Sequence, residues 1–465
     1  MTTGAIPTEL GTKKISTLLK EYAVPGIIAM TASSLYNMVD SIYIGHIKDV
    51  GSYAISGLAV TFPIMNLSAA LGTLVGVGAA TMISVLLGQK NYSAANKVLA
   101  NEVTLNTIIG LLFTILTLAF LDPILLFFGA SENTLPFARD YMTIILIGNV
   151  FTHLYFGLNS VIRSSGNPKL AMNLTLFTVI SNSILDPILI FGFGMGIKGA
   201  AVATVACQVM ALIYTLWYFT DSKKFLHLPK GIFALDWRIA KDSLAIGMGP
   251  FLMNAASCIV ALFINQQLKK YGGDLAIGAY GIVNRLSFLF VMINVGLNQG
   301  MQPIAGYNFG ARKYSRVREV YLLTVKIATL VSIAGFIISE AIPGIAVSIF
   351  TNDPELKMIA TKGLRLMNIV FPLVGFQMIT TNLFQCLGMV NKSILLSLSR
   401  QLLFLVPCIY ILPIWFGVKG VWYSFPVSDT LSVILTSILM ISLLKKLRTL
   451  NDGDDPTILG STFKG

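Results

Sequence analysis

Twelve apolar runs, each long enough to cross a bilayer as a helix, constrain this chain more than any single residue does. They fall at about 16–44, 53–87, 95–121, 136–163, 169–191, 198–219, 238–268, 275–308, 316–342, 355–387, 392–415 and 420–446. A hydrocarbon core of about 30 Å takes ~20 helical residues. Several runs are longer, so tilted spans or helix ends standing clear of the lipid are expected. Lipid offers the backbone no hydrogen-bond partner, so spans must be helices or closed barrels. Runs of this length predict an all-α polytopic membrane protein with twelve transmembrane helices. A content of 55% hydrophobic and 12% charged residues, with a mean hydropathy of +0.76, excludes a soluble globular protein of this size. The polar start "MTTGAIPTELGTKK" leads into a span too long for a cleavable signal peptide.

The net charge of +12 would suit a nucleic-acid partner if it formed one patch. Instead 23 of the 33 basic residues, among them Lys13, Lys90, Arg163, Lys223, Arg312, Lys392 and Lys445, fall on one side of a twelve-span topology. That distribution predicts a cytoplasmic basic side with both termini inside, and no nucleic acid. Cys207, Cys258, Cys386 and Cys408 all lie in apolar runs, and His46, His153 and His227 stand far apart. Neither set has disulfide or zinc-ligand spacing. A phosphate-cradling G-x-x-x-x-G-K-[ST] loop is missing too, so neither an enzyme, nor a bound cofactor, nor ATP is expected.

The chain repeats itself. "GQKNYSAANKV" near residue 88 returns as "GARKYSRVREV" near 310, with Gly88, Tyr92 and Ser93 mapping onto Gly310, Tyr314 and Ser315. Gly166 falls on Gly388, "GIKGAA" at 196 on "GVKGVW" at 417, and Pro25 on Pro250, all at offsets of about 220 to 225. Six spans per half bring both halves in from the same side, as a parallel repeat suited to rocking around a midplane cavity. The expected organisation is an N-terminal segment 1–15, a first lobe 16–220, a linker 221–236, a second lobe 237–448 and a tail 449–465, with 451–465 disordered.

Acids inside spans are costly, at roughly 2.5–3.5 kcal/mol each on insertion scales, and mark function by default. Asp40, in "SSLYNMVDSIYIGH", and Asp186, in "SNSILDPILIFGFG", stand at similar distances from the outer ends of the first and fifth spans. Thr204 is a turn or two into the sixth span, at the same depth. Tyr36 precedes Asp40 by four residues, Asn182 precedes Asp186 by four, and Gln208 follows Thr204 by four, so each pair shares a helix face. Pro187 removes the N–H that would bond the Ser183 carbonyl, and Pro25 does the same to Glu21, so both are read as hinges. Carried into the second half, Asp40 lands on Asn265 and Asp186 on or beside Val406. Packing alone would not require acids in only one of two similar lobes, so ion binding is assigned to the first. Asp429, Arg285, Arg365 and Arg400 are read as structural pairs or snorkelling side chains, and Lys198 and Lys419 as parts of turns.

The first-span "VPGIIAMTASSLYNMVDSIYIG", the loop "IRSSGNPKLAMN" and "ISNSILDPILIFGFGMGIKGAAVAT" across the fifth and sixth spans resemble the multidrug and toxic compound extrusion (MATE) family, in particular its DinF-like, MepA-like bacterial branch. The resemblance covers about residues 10–448. It implies two pseudo-symmetric six-helix bundles of the MATE, MOP-flippase-like fold in a bacterial cytoplasmic membrane. It also implies a first-half cation site formed by Asp40, Asn182, Asp186 and Thr204, joined by Asn159 of the fourth span. Tyr36 and Tyr141 match cavity-lining positions, and Asn37 and Gln208 are assigned to the same cavity.

The expected function is secondary antiport: export of amphipathic, mostly cationic organic compounds in exchange for H⁺ or Na⁺. Either ion would be held at Asp40, Asn182, Asp186 and Thr204, since a hard cation prefers oxygen ligands. The expected partners are those small molecules and membrane lipid, with the protein a monomer. The alternative is a lipid-linked precursor flippase of the same superfamily, for which central Lys and Arg residues are too scarce.

Overall fold

The computed structural model describes residues 8–47, 51–229, 231, 235–351 and 353–455; these contain helices and no strand. After a 3₁₀ turn at Thr8–Gly11 come α1 (Ile15–Gly45), α2 (Gly51–Gly88), α3 (Tyr92–Ala119), the short α4 (Leu121–Phe127) and α5 (Leu135–Ser164). Then follow α6 (Pro168–Pro187), a π-helical turn (Ile188–Gly192), α7 (Ile197–Thr220) and the long α8 (Trp237–Gly310). The remainder is α9 (Tyr314–Ala341), α10 (Pro343–Ser348), α11 (Pro354–Asn368), α12 (Phe371–Cys386), α13 (Val390–Leu398), a second π turn (Ser399–Leu405), α14 (Val406–Phe416) and α15 (Val418–Thr449).

Among the described residues ten helical stretches are long and apolar enough to cross a membrane, and α11 with α12 makes an eleventh that bends by 51°. Together with the 31 residues of α1, they correspond to the twelve runs of the sequence. The bend has a local cause. Pro372 cannot donate to the Asn368 carbonyl, so the helical ladder is interrupted there. The Asn368 side chain is tied at that point, accepting from Ser287 (3.1 Å) and donating to Ser339 (2.9 Å). The seventh and eighth spans are the two parts of α8, separated at Gly273, whose φ of 69° and ψ of −168° interrupt the helix.

The repeat is visible in backbone detail. Lys90 and Arg312 both adopt positive φ, 58° and 56°, a left-handed conformation that costs roughly 1–2 kcal/mol for a residue with a Cβ. Gly196 and Gly417, which precede α7 and α15, have nearly the same backbone, φ 55° with ψ −137° and φ 57° with ψ −139°. Each half also carries one π turn, Ile188–Gly192 just after Pro187 and Ser399–Leu405 just before Pro407, about ten residues out of register with each other at the repeat offset.

The chain packs as two compact units, Met1–Thr12 with Ile28–Phe251, and Lys13–Ile27 with Leu252–Gly465. Two of the three divisions fall inside helices, just after Pro25 in α1 and Pro250 in α8; the third, between Thr12 and Lys13, lies just ahead of α1. In the first unit the opening turns of α8 press on α2 so closely that a Cβ on Gly247 would overlap the Leu74 carbonyl oxygen, and one on Gly78 the Ser243 carbonyl. In the second unit, a Cβ on Gly300 would stand 2.5 Å from the Ala23 Cα. These crossings, each made at glycine, draw the first turns of α8 and of α1 into their units.

A core of the first unit gathers Ile44, Ile64, Leu121, Tyr141, Ile190 and Ile197 from α1 to α7. The second unit pairs several of its buried polar groups. Arg400 Nε donates to Asp429 Oδ1 at 2.7 Å, and Gln377 Nε2 to Ser432 Oγ at 2.6 Å. Asp429 and Arg400 are thus the structural pair the sequence suggests; Arg365 lies 3.8 Å from Glu340. Lys198, read as part of a turn, also bridges to Asp140 of α5 at 3.3 Å.

Residues 451–455 are not a disordered tail. Asp452 accepts from Ser315 N (2.9 Å) and Ser315 Oγ (2.6 Å), Tyr314 Oη donates to the Asp454 carbonyl (2.8 Å), and Gly453 N donates to the Arg312 carbonyl (2.8 Å). The carboxylate caps α9, whose own N-cap Lys313 makes no side-chain cap. Partial burial works against its charge, but the Ser315 donors, the Tyr314 N–H and the Lys313 cation outweigh it and hold Asp452 below the usual carboxylate range. Asp452→Ala should cost the α9 terminus about 0.5–2 kcal/mol, as caps do, read as faster amide exchange at residues 314–318. A depressed folded pKa gives stability that is present at neutral pH and lost as pH falls through that pKa. The difference between Asp452→Ala and the parent should therefore vanish in acid.

Candidate functional site

The first unit brings together most of the residues its sequence marks. Asp40 of α1, Asn182 and Asp186 of α6, and Thr204 of α7 are all buried, with Asp186 fully so. Tyr36 Oη lies 3.3 Å from Asn182 Oδ1 and 3.0 Å from Thr204 Oγ1. A phenol has one hydrogen to give, so the consistent pattern has Thr204 donating to Tyr36 and Tyr36 donating to Asn182. The four-residue spacing within α1 and α6 places each acid one turn beyond its polar neighbour, and the three helices meet at that level.

The carboxyl groups of Asp40 and Asp186 are near enough to act on each other electrostatically. Both oxygens of Asp186, Asp40 Oδ1 and Asn182 Nδ2 have no hydrogen-bond partner. Most buried polar atoms are paired, whereas three carboxyl oxygens here are not. Among the described residues no basic side chain forms an ion pair with either acid. Tyr141, buried on α5, feels both acids and Tyr36, and its ring packs into the core that includes Ile190 and Ile197. A π-helical turn begins immediately after Pro187, so the missing N–H is followed by a change of backbone pitch directly beyond the acid.

Asn159 does not join them. Its Nδ2 donates to the Ala171 carbonyl (3.0 Å) and its Oδ1 accepts from Arg163 (3.2 Å), which ties α5 to the start of α6. Eighteen residues of α5 separate it from Tyr141, roughly 27 Å along the axis. The family resemblance assigns it to the site, and its depth keeps it out. The Asn37 side chain lies outside the described residues. Gln208 accepts from Thr152 of α5, a partner that sequence spacing within one helix does not reveal. Pro25 sits within α1, which continues as helix through it.

The second unit has a π turn of its own, Ser399–Leu405, and among its described residues no buried carboxyl oxygen lacks a partner. Its buried Asp429 is neutralised by Arg400, whereas among the described residues Asp40 and Asp186 form no ion pair with a basic side chain. Similar backbones thus carry opposite electrostatic arrangements.

The comparisons with known proteins follow the same architecture. The MatE family profile matches twice, at residues 25–188 and 246–411, in register with the two repeats. The chain is 29% identical over 429 residues to the multidrug export protein MepA of Staphylococcus haemolyticus, covering 92% of this chain and 94% of that protein. Among solved structures it is similar to the MATE multidrug transporter DinF-BH, at 36% identity and a TM-score of 0.87, covering 93% of this chain and 96% of that one. An outward-facing MATE family transporter of the MOP superfamily shares the fold at 23% identity and a TM-score of 0.89, covering 96% and 100%. Two family matches laid over two helical repeats, and likeness along nearly the whole length, place this multi-pass membrane protein in the MatE family of transporters.

Proposed function

We propose that this chain is a secondary multidrug exporter that exchanges amphipathic organic cations for H⁺ or Na⁺ at Asp40, Asp186, Asn182 and Thr204. It would sit in the bacterial cytoplasmic membrane with its basic loops and both termini inside. The observation that carries this reading is the pair of buried acids with three unpartnered oxygens. Two adjacent carboxylates in a low-dielectric site repel each other unless a cation neutralises one or bridges both. An inward-moving ion and a cationic drug would draw on the same negative charge, so loading the ion removes the field that holds the drug. A ligand moves a two-state transporter only by its differential affinity for the two states, and this competition supplies one. Pro25 and Pro187 would act as hinges as the site empties and fills. Matches named multidrug export protein MepA and MATE multidrug transporter support the substrate class.

Efflux of ethidium, a fluorescent organic cation, from proteoliposomes under independently imposed pH and Na⁺ gradients tests the reading. Export driven by either gradient is expected, whereas export indifferent to both would remove the exchange mechanism. Tyr36→Phe deletes the hydroxyl that joins Asn182 to Thr204. Losing such a hydrogen bond costs about 0.5–1.5 kcal/mol, so the half-saturating concentration of the driving ion should rise up to roughly tenfold.

A further inference from the structure

A third carboxyl is buried in the first unit, away from Asp40 and Asp186. Glu102 of α3 is 1% exposed. It lies against Gly157 of α5, where any Cβ would overlap its Oε1, so the helix pair leaves room for the acid by having no side chain there. Asn106 Nδ2 donates to Oε1 at 2.6 Å, while Glu102 Oε2 and Asn106 Oδ1 have no partner.

One turn along α5 from Gly157 is His153, fully buried. Ser68 donates its hydrogen to Asn149 Oδ1 and sits 3.0 Å from His153 Nε2. The hydroxyl has no second hydrogen, so the imidazole carries its proton on Nε2 and leaves Nδ1 as a bare acceptor. Nδ1 indeed has no partner, and it faces α3 beside Gly110. Two acceptors, Glu102 Oε2 and Asn106 Oδ1, therefore share one layer between α3 and α5 with no donor for either, and His153 Nδ1 is a third bare acceptor farther along the same helix pair, beside Gly110.

We propose that Glu102 is a second proton-binding site, loaded from the basic-loop side and separate from the Asp40–Asp186 pair. A proton on Oε2 is the donor this layer lacks. Na⁺ fits poorly, because the pair offers three oxygens where a hard cation takes about six. Among the described residues no charged side chain forms an ion pair with the acid. Lys97 on α3 is exposed, Arg163 on α5 is engaged with Asn159, and α2 carries no charged residue. At the start of α8, Asp236, Lys241 and Asp242 form no ion pair with it among the described residues. The neighbouring Asn101 accepts from Asp236 N, which places the acid close beneath the linker and its basic side. Leu105 of the same helix packs on Ala240 and Val75, so a change of charge at Glu102 acts on the layer that seats α8.

The proton site stands without the transport reading; only its use in exchange rests on it. Infrared spectra of the full-length protein in lipid would compare Asp40→Asn/Asp186→Asn with the same chain also carrying Glu102→Gln. The expected difference is one carboxylic-acid carbonyl band that disappears as pH rises. No such band, or a band that no pH removes, would overturn the site. In the otherwise intact chain, Glu102→Gln should lower ethidium exchange driven by a pH gradient about tenfold while leaving ethidium binding unchanged. Unchanged exchange would overturn its role in the cycle. A titrating band in a protein that no gradient drives would instead sink the antiport reading and leave the proton site standing.

Discussion

Asp186→Asn should abolish ion-driven export while the protein still inserts and folds. Asn keeps the shape of the side chain but removes the charge for which the surrounding oxygens have no substitute. Breaking a buried ionic set by deleting one member costs roughly 3–5 kcal/mol, a loss in ion occupancy of about a hundredfold or more. Asp40→Asn should do the same, and the double variant should be little worse than either alone, because groups that act as one unit are not additive. Ethidium efflux under an imposed gradient reads the effect. Parental efflux by Asp186→Asn would show that the acid pair is not the coupling site.

Gly247→Val should be the most damaging single change to folding among the helix crossings. The added Cβ would overlap the Leu74 carbonyl oxygen, a backbone atom that cannot rotate away. Overpacking in a close-packed interior costs about 1–3 kcal/mol when side chains can yield, and here α2 and α8 must themselves separate. The thermal midpoint in detergent should fall by several degrees, with Gly78→Val reproducing it from the other helix. Gly281→Ala is the control, since its Cβ would meet nothing within 4 Å. That change should leave the midpoint level or raise it slightly, by up to about 1 kcal/mol of helix propensity. Equal midpoints for Gly247→Val and the parent would refute the close crossing.

Much of the site was legible because lipid simplifies the problem. A carboxylate in an apolar run stands out against neighbours that all suit hydrocarbon, and a four-residue spacing names its face. That reasoning suffices to group Asp40, Asn182, Asp186 and Thr204 without coordinates. Asn159 comes from the family resemblance and not from spacing, and its amide serves the α5–α6 turn instead. Spacing passes over Glu102, although Glu102 and Asn106 have the same four-residue spacing as Asn182 and Asp186. An acid seven residues into a span looks like an interface residue until Gly157 is seen to open a pocket for it.

By itself the sequence determined the helices and their repeat. In a helix that crosses hydrocarbon each backbone N–H meets a carbonyl four residues back, and that is a local matter. Tertiary structure alone decided which units the ends of α1 and α8 join, that residues 451–455 cap α9, and which buried acids are neutralised. Each of these turns on contacts between residues distant in sequence. Asp429 meets Arg400 of a neighbouring helix, whereas Asp40 and Asp186 meet each other and, among the described residues, no basic side chain forms an ion pair with either. The charge of each residue is written in the chain; whether it finds an opposite charge is settled only when the helices pack.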